Sequence, residues 1–335
     1  MRIGIFGATG LVGKELLKLL DNNHLNVKFN NLRLFASESS IGKIMNFRSE
    51  NLIVENYNNE TFSQLDILIL CTSANVSKEI VKLAKDYNCL IIDNSSAFRF
   101  DKHVPLVVPE INGHLIKGNN IIANPNCCTA LLTMVLHPLH LKYNINKVIV
   151  STYQSASGAG QKGLDELILN PNETYPVFGR QYLYNVFSHN SEIDLESLYN
   201  DEEVKIMLET KKILNADIKI SATCVRVPTI RAHAESVHIE FKNKVELNEI
   251  RSVLNNQFGV IVEDNINSGK FPEPIKVENK FDVMVGRIRY DISDESKKSI
   301  NLFLCGDQLL KGAALNAYQI LDYSSQSDQF ISQYL

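Results

Sequence analysis

The sequence predicts an α/β fold in two domains, and three observations carry that prediction. Short apolar runs of strand length alternate with amphipathic helical stretches early in the chain. A glycine-rich turn follows the first run, and past about residue 127 the strand-like runs lengthen and helices become few. Alternating strand and helix requires long crossovers, hence a parallel sheet covered on both faces. Long runs with few helices between them point to a larger, mixed or antiparallel sheet. At 335 residues the chain can fill two cores.

The elements follow in order. Residues 2–6 form the first strand, and Gly7, Gly10 and Gly13 mark the turn after it. Leu11, Val12, Leu16, Leu17, Leu19 and Leu20 then give a helix one broad apolar face, with Lys14, Glu15 and Lys18 outward. Strand runs recur at 32–36, 66–71, 89–92 and 121–123, with a helix over 77–87. A helix from 127 to about 143 leads into strand runs at 147–153, 218–227, 235–241, 282–290 and 299–305, and the last helical stretch covers 308–321.

Composition excludes several classes. A hydrophobic fraction of 44% with 21% charged residues describes a globular chain, not a disordered one. Thirty-four basic against 38 acidic side chains leave a net charge of -4, unsuited to a general nucleic-acid binder. The most apolar stretches, 67–71 and 90–92, fall far short of the roughly 20 residues a bilayer span needs. The N-terminus reads as a strand and not as a signal peptide. Six cysteines with no C-x-x-C pair suit a reducing compartment. A cytoplasmic protein with no metal, membrane or nucleic-acid partner is expected.

Four segments carry chemistry. Gly7-Ala8-Thr9-Gly10-Leu11-Val12-Gly13 stands between strand and helix, where a tight turn and free helix N–H groups receive a pyrophosphate. Its spacing is G-x-x-G-x-x-G, not G-x-G-x-x-G, so a ligand-free turn is the alternative. After the second strand, Ser37, Glu38 and Ser39 sit where a carboxylate bonds the adenosine ribose of NAD; a solvated polar loop is the other reading. Asn126-Cys127-Cys128 opens an apolar helix, and a thiol at a helix N-terminus is stabilised as thiolate. Cys127 is therefore a nucleophile or a small cap, and Cys128 a core residue. Finally, Gln154 ends a strand before the small-residue loop Ser155–Gly160, able to orient a nucleophile or a carbonyl. Arg226 suits a bidentate carboxylate clamp, and His233 general acid/base work, although a lone strand arginine and a histidine are more often structural.

Taken together and in order, these segments resemble the aspartate-β-semialdehyde dehydrogenase family. Further matches are Val107-Val108-Pro109-Glu110, Ser221–Pro228, Gly286-Arg287-Ile288-Arg289 and Leu310–Asn316, so the resemblance spans nearly the whole chain. It implies a Rossmann-like dinucleotide-binding domain (1–126 and 315–335, the terminal helix returning to it, with 322–335 packed there). It also implies an α+β catalytic and dimerisation domain with a large mixed sheet (127–314). The implied reaction is the NAD(P)-dependent reductive dephosphorylation of L-aspartyl-4-phosphate to aspartate semialdehyde, in lysine (diaminopimelate), threonine and methionine biosynthesis.

By position, the resemblance makes Cys127 the thioester-forming nucleophile, His233 the acid/base and Gln154 the orienting residue. Arg226 corresponds to the clamp on the α-carboxylate, Glu209 to the group facing the α-amino end, and Arg99 with Lys212 to the phosphate pair; Asn126 lies beside the nucleophile. Gly7, Thr9, Gly10, Leu11, Val12, Ser37, Glu38, Ser39, Ser157, Gly158 and Asn316 would contact the cofactor, NADP. The family's loop is of the type Ala-Ser-x-Arg-Ser-x-Gly, and Glu38 is read as standing at its arginine, which admits NAD. A homodimer or homotetramer through the second domain is expected. Among rival readings, N-acetyl-γ-glutamyl-phosphate reductase shares the thioester logic, but a substrate with an acetylated amine has no need of Arg226 and Glu209 together. A non-catalytic NAD(P) sensor would not need Cys127, Gln154 and His233, and a cysteine hydrolase would not need the glycine turn.

Overall fold

The computed structural model describes residues 1–168 and 174–325. The chain divides into two compact units, Met1–Pro125 with residues 313–325, and Asn126–Gly312.

The first unit carries β1 (Arg2–Phe6), β2 (Asn31–Phe35), β3 (Ile44–Phe47), β4 (Glu50–Glu55), β5 (Ile67–Leu70), β6 (Leu90–Asp93) and β7 (Ile121–Ala123). They form one sheet in the order β3-β4-β2-β1-β5-β6-β7. Every pairing from β4 to β7 is parallel, and β3 joins β4 as an antiparallel edge hairpin. Strands covered on both faces bury every side chain, as all of Ile67-Leu68-Ile69-Leu70 does. The helices Leu11–Asn22 and Ala74–Ala84 pack their apolar stripes here. This is the Rossmann-like architecture, with an added hairpin that the sequence reading had not separated from β2.

The helix Leu315–Ser325 closes the unit. The Tyr318 hydroxyl accepts from the Leu25 N–H at 3.3 Å, and Gln319 Nε2 donates to Glu110 Oε1 at 2.7 Å. Within the expected 322–335 segment, Tyr323 lies against Gly113, and 326–335 fall outside the described residues.

The second unit carries β8 (Ile145–Gln154), β9 (Phe187–Ser188), β10 (Lys219–Arg226), β11 (His233–Phe241), β12 (Val260–Val262), β13 (Val283–Tyr290) and β14 (Ser299–Gly306). The order is β12-β13-β14-β11-β8-β10-β9 and the sheet is mixed: β8–β10 and β12–β13 run parallel, the other pairs antiparallel. Along β8, Val148, Val150, Thr152 and Gln154 are buried, whereas Ile149 and Tyr153 on the opposite face are exposed. The helix Cys127–Tyr143 packs on this sheet and is apolar almost all round, as a core helix must be.

Helices are more numerous here than the sequence reading expected: Gly160–Ile168, Asp201–Leu214 and Leu247–Asn255 intervene between strands. Asp201–Leu214 escaped notice because its buried face includes Glu202, Glu203, Glu209 and Thr210, which erases the apolar stripe.

Gly7 sets the turn between β1 and the first helix. Its φ is +80°, and a Cβ there would meet the Cys71 carbonyl oxygen, while one on Gly13 would meet the Gly7 carbonyl oxygen. Gly7→Ala is therefore expected to lower stability by more than the roughly 1–2 kcal/mol that a left-handed backbone alone costs. Urea denaturation with an unchanged midpoint would refute this account of the turn.

Candidate active site

Cys127 is the first residue of its helix, and Asn126 is the cap. The Asn126 Oδ1 accepts from the backbone N–H groups of Cys128 (2.9 Å) and Thr129 (3.3 Å). Its Nδ2 donates to Glu202 Oε1 at 2.7 Å, and its backbone N–H donates to Glu209 Oε2 at 2.6 Å. Both carboxylates come from the helix Asp201–Leu214, so one residue ties the thiol-bearing helix to a second element. Gln154, at the end of β8, donates Nε2 to the same Glu202 oxygen at 3.0 Å and accepts from Thr152 Oγ1 at 3.1 Å. The amide is thereby fixed at both ends.

His233 is fully buried at the start of β11. Its Nδ1 accepts from the Ser155 N–H at 3.1 Å, which places the ring proton on Nε2. That Nε2 is buried and has no hydrogen-bond partner among the described residues. The donor atoms of Cys127, Cys128 and His233 all lie within 4.8 Å of one another. The Cys127 thiol is held well below its ordinary range, first by the hydrogen bond from the Cys128 thiol and then by His233, against burial and the Glu202 charge. Cys128 moves the other way, because burial and its bond to Cys127 favour the neutral thiol.

Arg226 ends β10 and is 4% exposed. It donates Nη1 to the Ser155 carbonyl (3.2 Å) and Nη2 to His189 Nε2 (2.6 Å), while its Nε has no partner. Burial pushes His189 down to about 4, so it is a neutral acceptor at pH 7. Glu202 is held down at about 2; burial works against this and surrounding polar groups outweigh it. The neutrality of His189 leaves Lys205 with the Asn126 and Gln154 amides as the stabilising partners near pH 7. Gly158 lies beside both functional groups: a Cβ there would be 3.0 Å from His233 Cε1 and 3.2 Å from Arg226 Nη1. Ser157 is tied down, its hydroxyl donating to the Ile230 carbonyl at 2.5 Å and accepting from Gln308 Nε2 at 2.6 Å.

The first unit holds a cavity of about 660 Å³ lined by Gly7, Thr9, Gly10, Ser37, Glu38, Tyr57 and Glu79 among others. Leu11 and Val12 open the helix beside it, and the Ser39 hydroxyl lies 3.1 Å from that of Ser37. Laid on Ala36, Ser37, Ser40 and Gly42, the family's loop pattern puts its arginine at Ser39; Glu38 occupies the variable position, and the earlier reading is corrected to that extent. Arg99 is buried in this unit, donating Nε to the Asn124 carbonyl (2.8 Å) and Nη2 to the Asn94 carbonyl (2.9 Å). Asn316 is buried there too, its Nδ2 on the Val107 carbonyl (2.8 Å) and Asn124 Oδ1 (2.6 Å). Lys212 belongs to the second unit, half-buried on the helix Asp201–Leu214, and Arg99 to the first.

Three residues escaped the sequence reading. Glu202 and His189 reveal themselves only through their partners. Glu235 lies two places beyond His233, fully buried with both carboxylate oxygens unpartnered, and burial with the Cys127 charge pushes it well above the usual carboxylate range. The alternation of β11 was its only signal.

Comparison with known proteins agrees with this arrangement. Residues 2–119 match the semialdehyde dehydrogenase NAD binding domain, and residues 136–311 match the semialdehyde dehydrogenase dimerisation domain. The chain is 41% identical over 331 residues to aspartate-semialdehyde dehydrogenase of Prochlorococcus marinus, covering 96% of this chain and 95% of the relative. It is 39% identical over 343 residues to that of Rickettsia typhi, covering 99% and 98%. The solved structure of aspartate semialdehyde dehydrogenase II from Vibrio cholerae, complexed with ASA, superposes with a TM-score of 0.91 at 34% identity, covering 98% of this chain and 99% of that one. With full-length identity, both family domains and a fold match in agreement, the chain belongs to the aspartate-semialdehyde dehydrogenase family.

Proposed function

We propose that this chain reduces L-aspartyl-4-phosphate to L-aspartate 4-semialdehyde with release of phosphate, reversibly, through a thioester on Cys127. The observation that carries the reading is the buried, unpartnered His233 Nε2 gathered with the Cys127 thiol at a helix N-terminus. The Cys127 sulfur attacks the acyl carbon: the S–C bond forms, and the bond to the phosphate oxygen breaks. Arg226, whose neighbours on Nη1 and Nη2 are neutral acceptors, receives the substrate carboxylate, and Glu209 faces the α-amino group. Arg99 and Lys212 receive the phosphate. Gln154 holds the thioester carbonyl, and the His233 Nε2–H donates to the oxyanion that forms at that carbon. Collapse of the oxyanion breaks the C–S bond and returns the Cys127 thiolate and the aldehyde; in the reverse direction the thiolate adds to the aldehyde and the His233 Nε2–H donates to the same oxyanion.

The first unit fits a dinucleotide: the cavity opens at the N-terminus of the helix Leu11–Asn22, and Gly7 and Gly10 line it with no side chain in the way. When bound, the nicotinamide supplies the hydride to the thioester. Gly7, Thr9 and Gly10 would hold the pyrophosphate, with Leu11 and Val12 opening the helix; Ser37, Glu38 and Ser39 would hold the ribose. Ser157, Gly158 and Asn316 serve the nicotinamide end. The lining includes Glu38 and Glu79 and no lysine or arginine, which favours the ribose hydroxyl of NADH over the 2′-phosphate of NADPH. A homodimer would form through the open face of the second sheet, where Ile149 and Tyr153 are exposed.

A phosphate-dependent oxidation assay tests the reaction directly. Aspartate semialdehyde should turn over and N-acetylglutamate semialdehyde should not, with kcat/KM for NAD+ at least matching NADP+. Preference for the acetylated substrate would remove the reading, and a more than tenfold NADP+ preference would remove the cofactor assignment. Cys127→Ala should lose turnover and keep cofactor binding.

The thiol can be followed separately. Because its ionisation lies below the ordinary range, thiolate persists as pH falls, so iodoacetamide inactivation should stay near constant between about pH 8.5 and 7. A fall of about sixteenfold across that window would show an ordinary thiol with a pKa near 8.5. For assembly, Ile149→Asp should sediment as a monomer, and an unchanged sedimentation coefficient would move the interface elsewhere.

A further inference from the structure

We propose that Cys127, Cys128 and His233 also form a binding site for a soft divalent cation, Zn²⁺ above all, which closes the enzyme by occupying its nucleophile. Two thiols and an imidazole nitrogen, with all donor atoms inside 4.8 Å, are the ligand set that zinc selects over magnesium or calcium. Bond lengths of about 2.3 Å to sulfur and 2.0–2.1 Å to nitrogen in a tetrahedron place donors roughly 3.3–3.8 Å apart, within reach of small χ rotations.

The surroundings favour a bound ion. His233 Nε2 is fully buried and has no hydrogen-bond partner among the described residues, and it becomes a ligand atom when the ring proton moves to Nδ1. Ser155 Oγ lies 3.1 Å from Nδ1 and accepts that proton in place of the bond from the Ser155 N–H, the outer hydrogen bond that fixes a metal-bound histidine. Cys127 is partly exposed while Cys128 and His233 are buried, so an ion enters past Cys127 and meets the other two behind it. Binding expels the remaining thiol protons to solvent, keeps the ring proton on Nδ1 and leaves the fourth position to water. No oxidant is involved, and removal of the ion restores the thiolate. The site needs Cys128, which the proposed dehydrogenase chemistry does not use as a nucleophile.

The test uses the reduced full-length enzyme. Co²⁺ should bind at one equivalent per chain with a thiolate-to-cobalt charge-transfer band, and Zn²⁺ should bleach that band. Activity should fall in step with zinc occupancy and return with chelator. On the unaltered protein, Zn²⁺ should protect Cys127, the partly exposed thiol of the three ligands, from alkylation, read by mass spectrometry. Cys128→Ser should weaken zinc binding at least tenfold, and His233→Gln should weaken it similarly. Absence of the charge-transfer band, or zinc affinity unmoved by Cys128→Ser, would overturn the proposal. If that variant fails to fold, failure of zinc to protect Cys127 of the unaltered chain overturns it equally. Either result leaves the dehydrogenase reading intact, since none of these binding measurements requires the substrate.

Discussion

Asn126 joins two helices of the second unit through one side chain and one backbone N–H. Its carbonyl oxygen caps the helix that begins at Cys127, its amide nitrogen reaches Glu202, and its backbone reaches Glu209. Capping is worth about 1 kcal/mol in an ordinary helix. Hydrogen bonds to buried charged groups are worth about 1.5–3 kcal/mol each, and losing one strands a desolvated carboxylate. The position of the sulfur therefore depends on two carboxylates a long way along the chain, and they depend on it.

That arrangement sets an electrostatic problem. Two buried carboxylates close to a thiolate would raise its pKa, and Glu202 does oppose Cys127. The opposition is contained because the Asn126 and Gln154 amides and Lys205 absorb the Glu202 charge, while the Cys128 thiol and His233 address the sulfur. Glu235 takes the other course: burial and the Cys127 charge push it well above the usual carboxylate range. Of the acids around the site, one is thus held down by donors and another pushed up by burial, a separation made by environment alone.

Much of this was legible in the chain. Five of the seven strands of the first sheet follow from apolar runs and the glycine turn, because strands buried on both faces read as near-continuous apolar stretches. The half-exposed edge hairpin β3–β4 has no such run and went unread. Cys127 was visible as a thiol at a helix start, yet choosing between nucleophile and cap needed His233 and Gln154, which the sequence holds 106 and 27 positions away. The helix Asp201–Leu214 was illegible because its buried face is acidic, and acidic residues face inward only when partners from elsewhere receive them. His189 and Glu235 were hidden for the same reason: a solitary polar residue in a strand or loop says nothing until the opposing element is in place.

Gly158 presents its backbone directly to the His233 ring and to Arg226. A wall made of hydrogen is already at its smallest, so heritable change at this position runs in one direction only. Any replacement narrows the space between acid/base and clamp, and none enlarges it. A broader substrate range would have to arise from other walls, by moving the helix that carries Glu209 or the loop that carries His189.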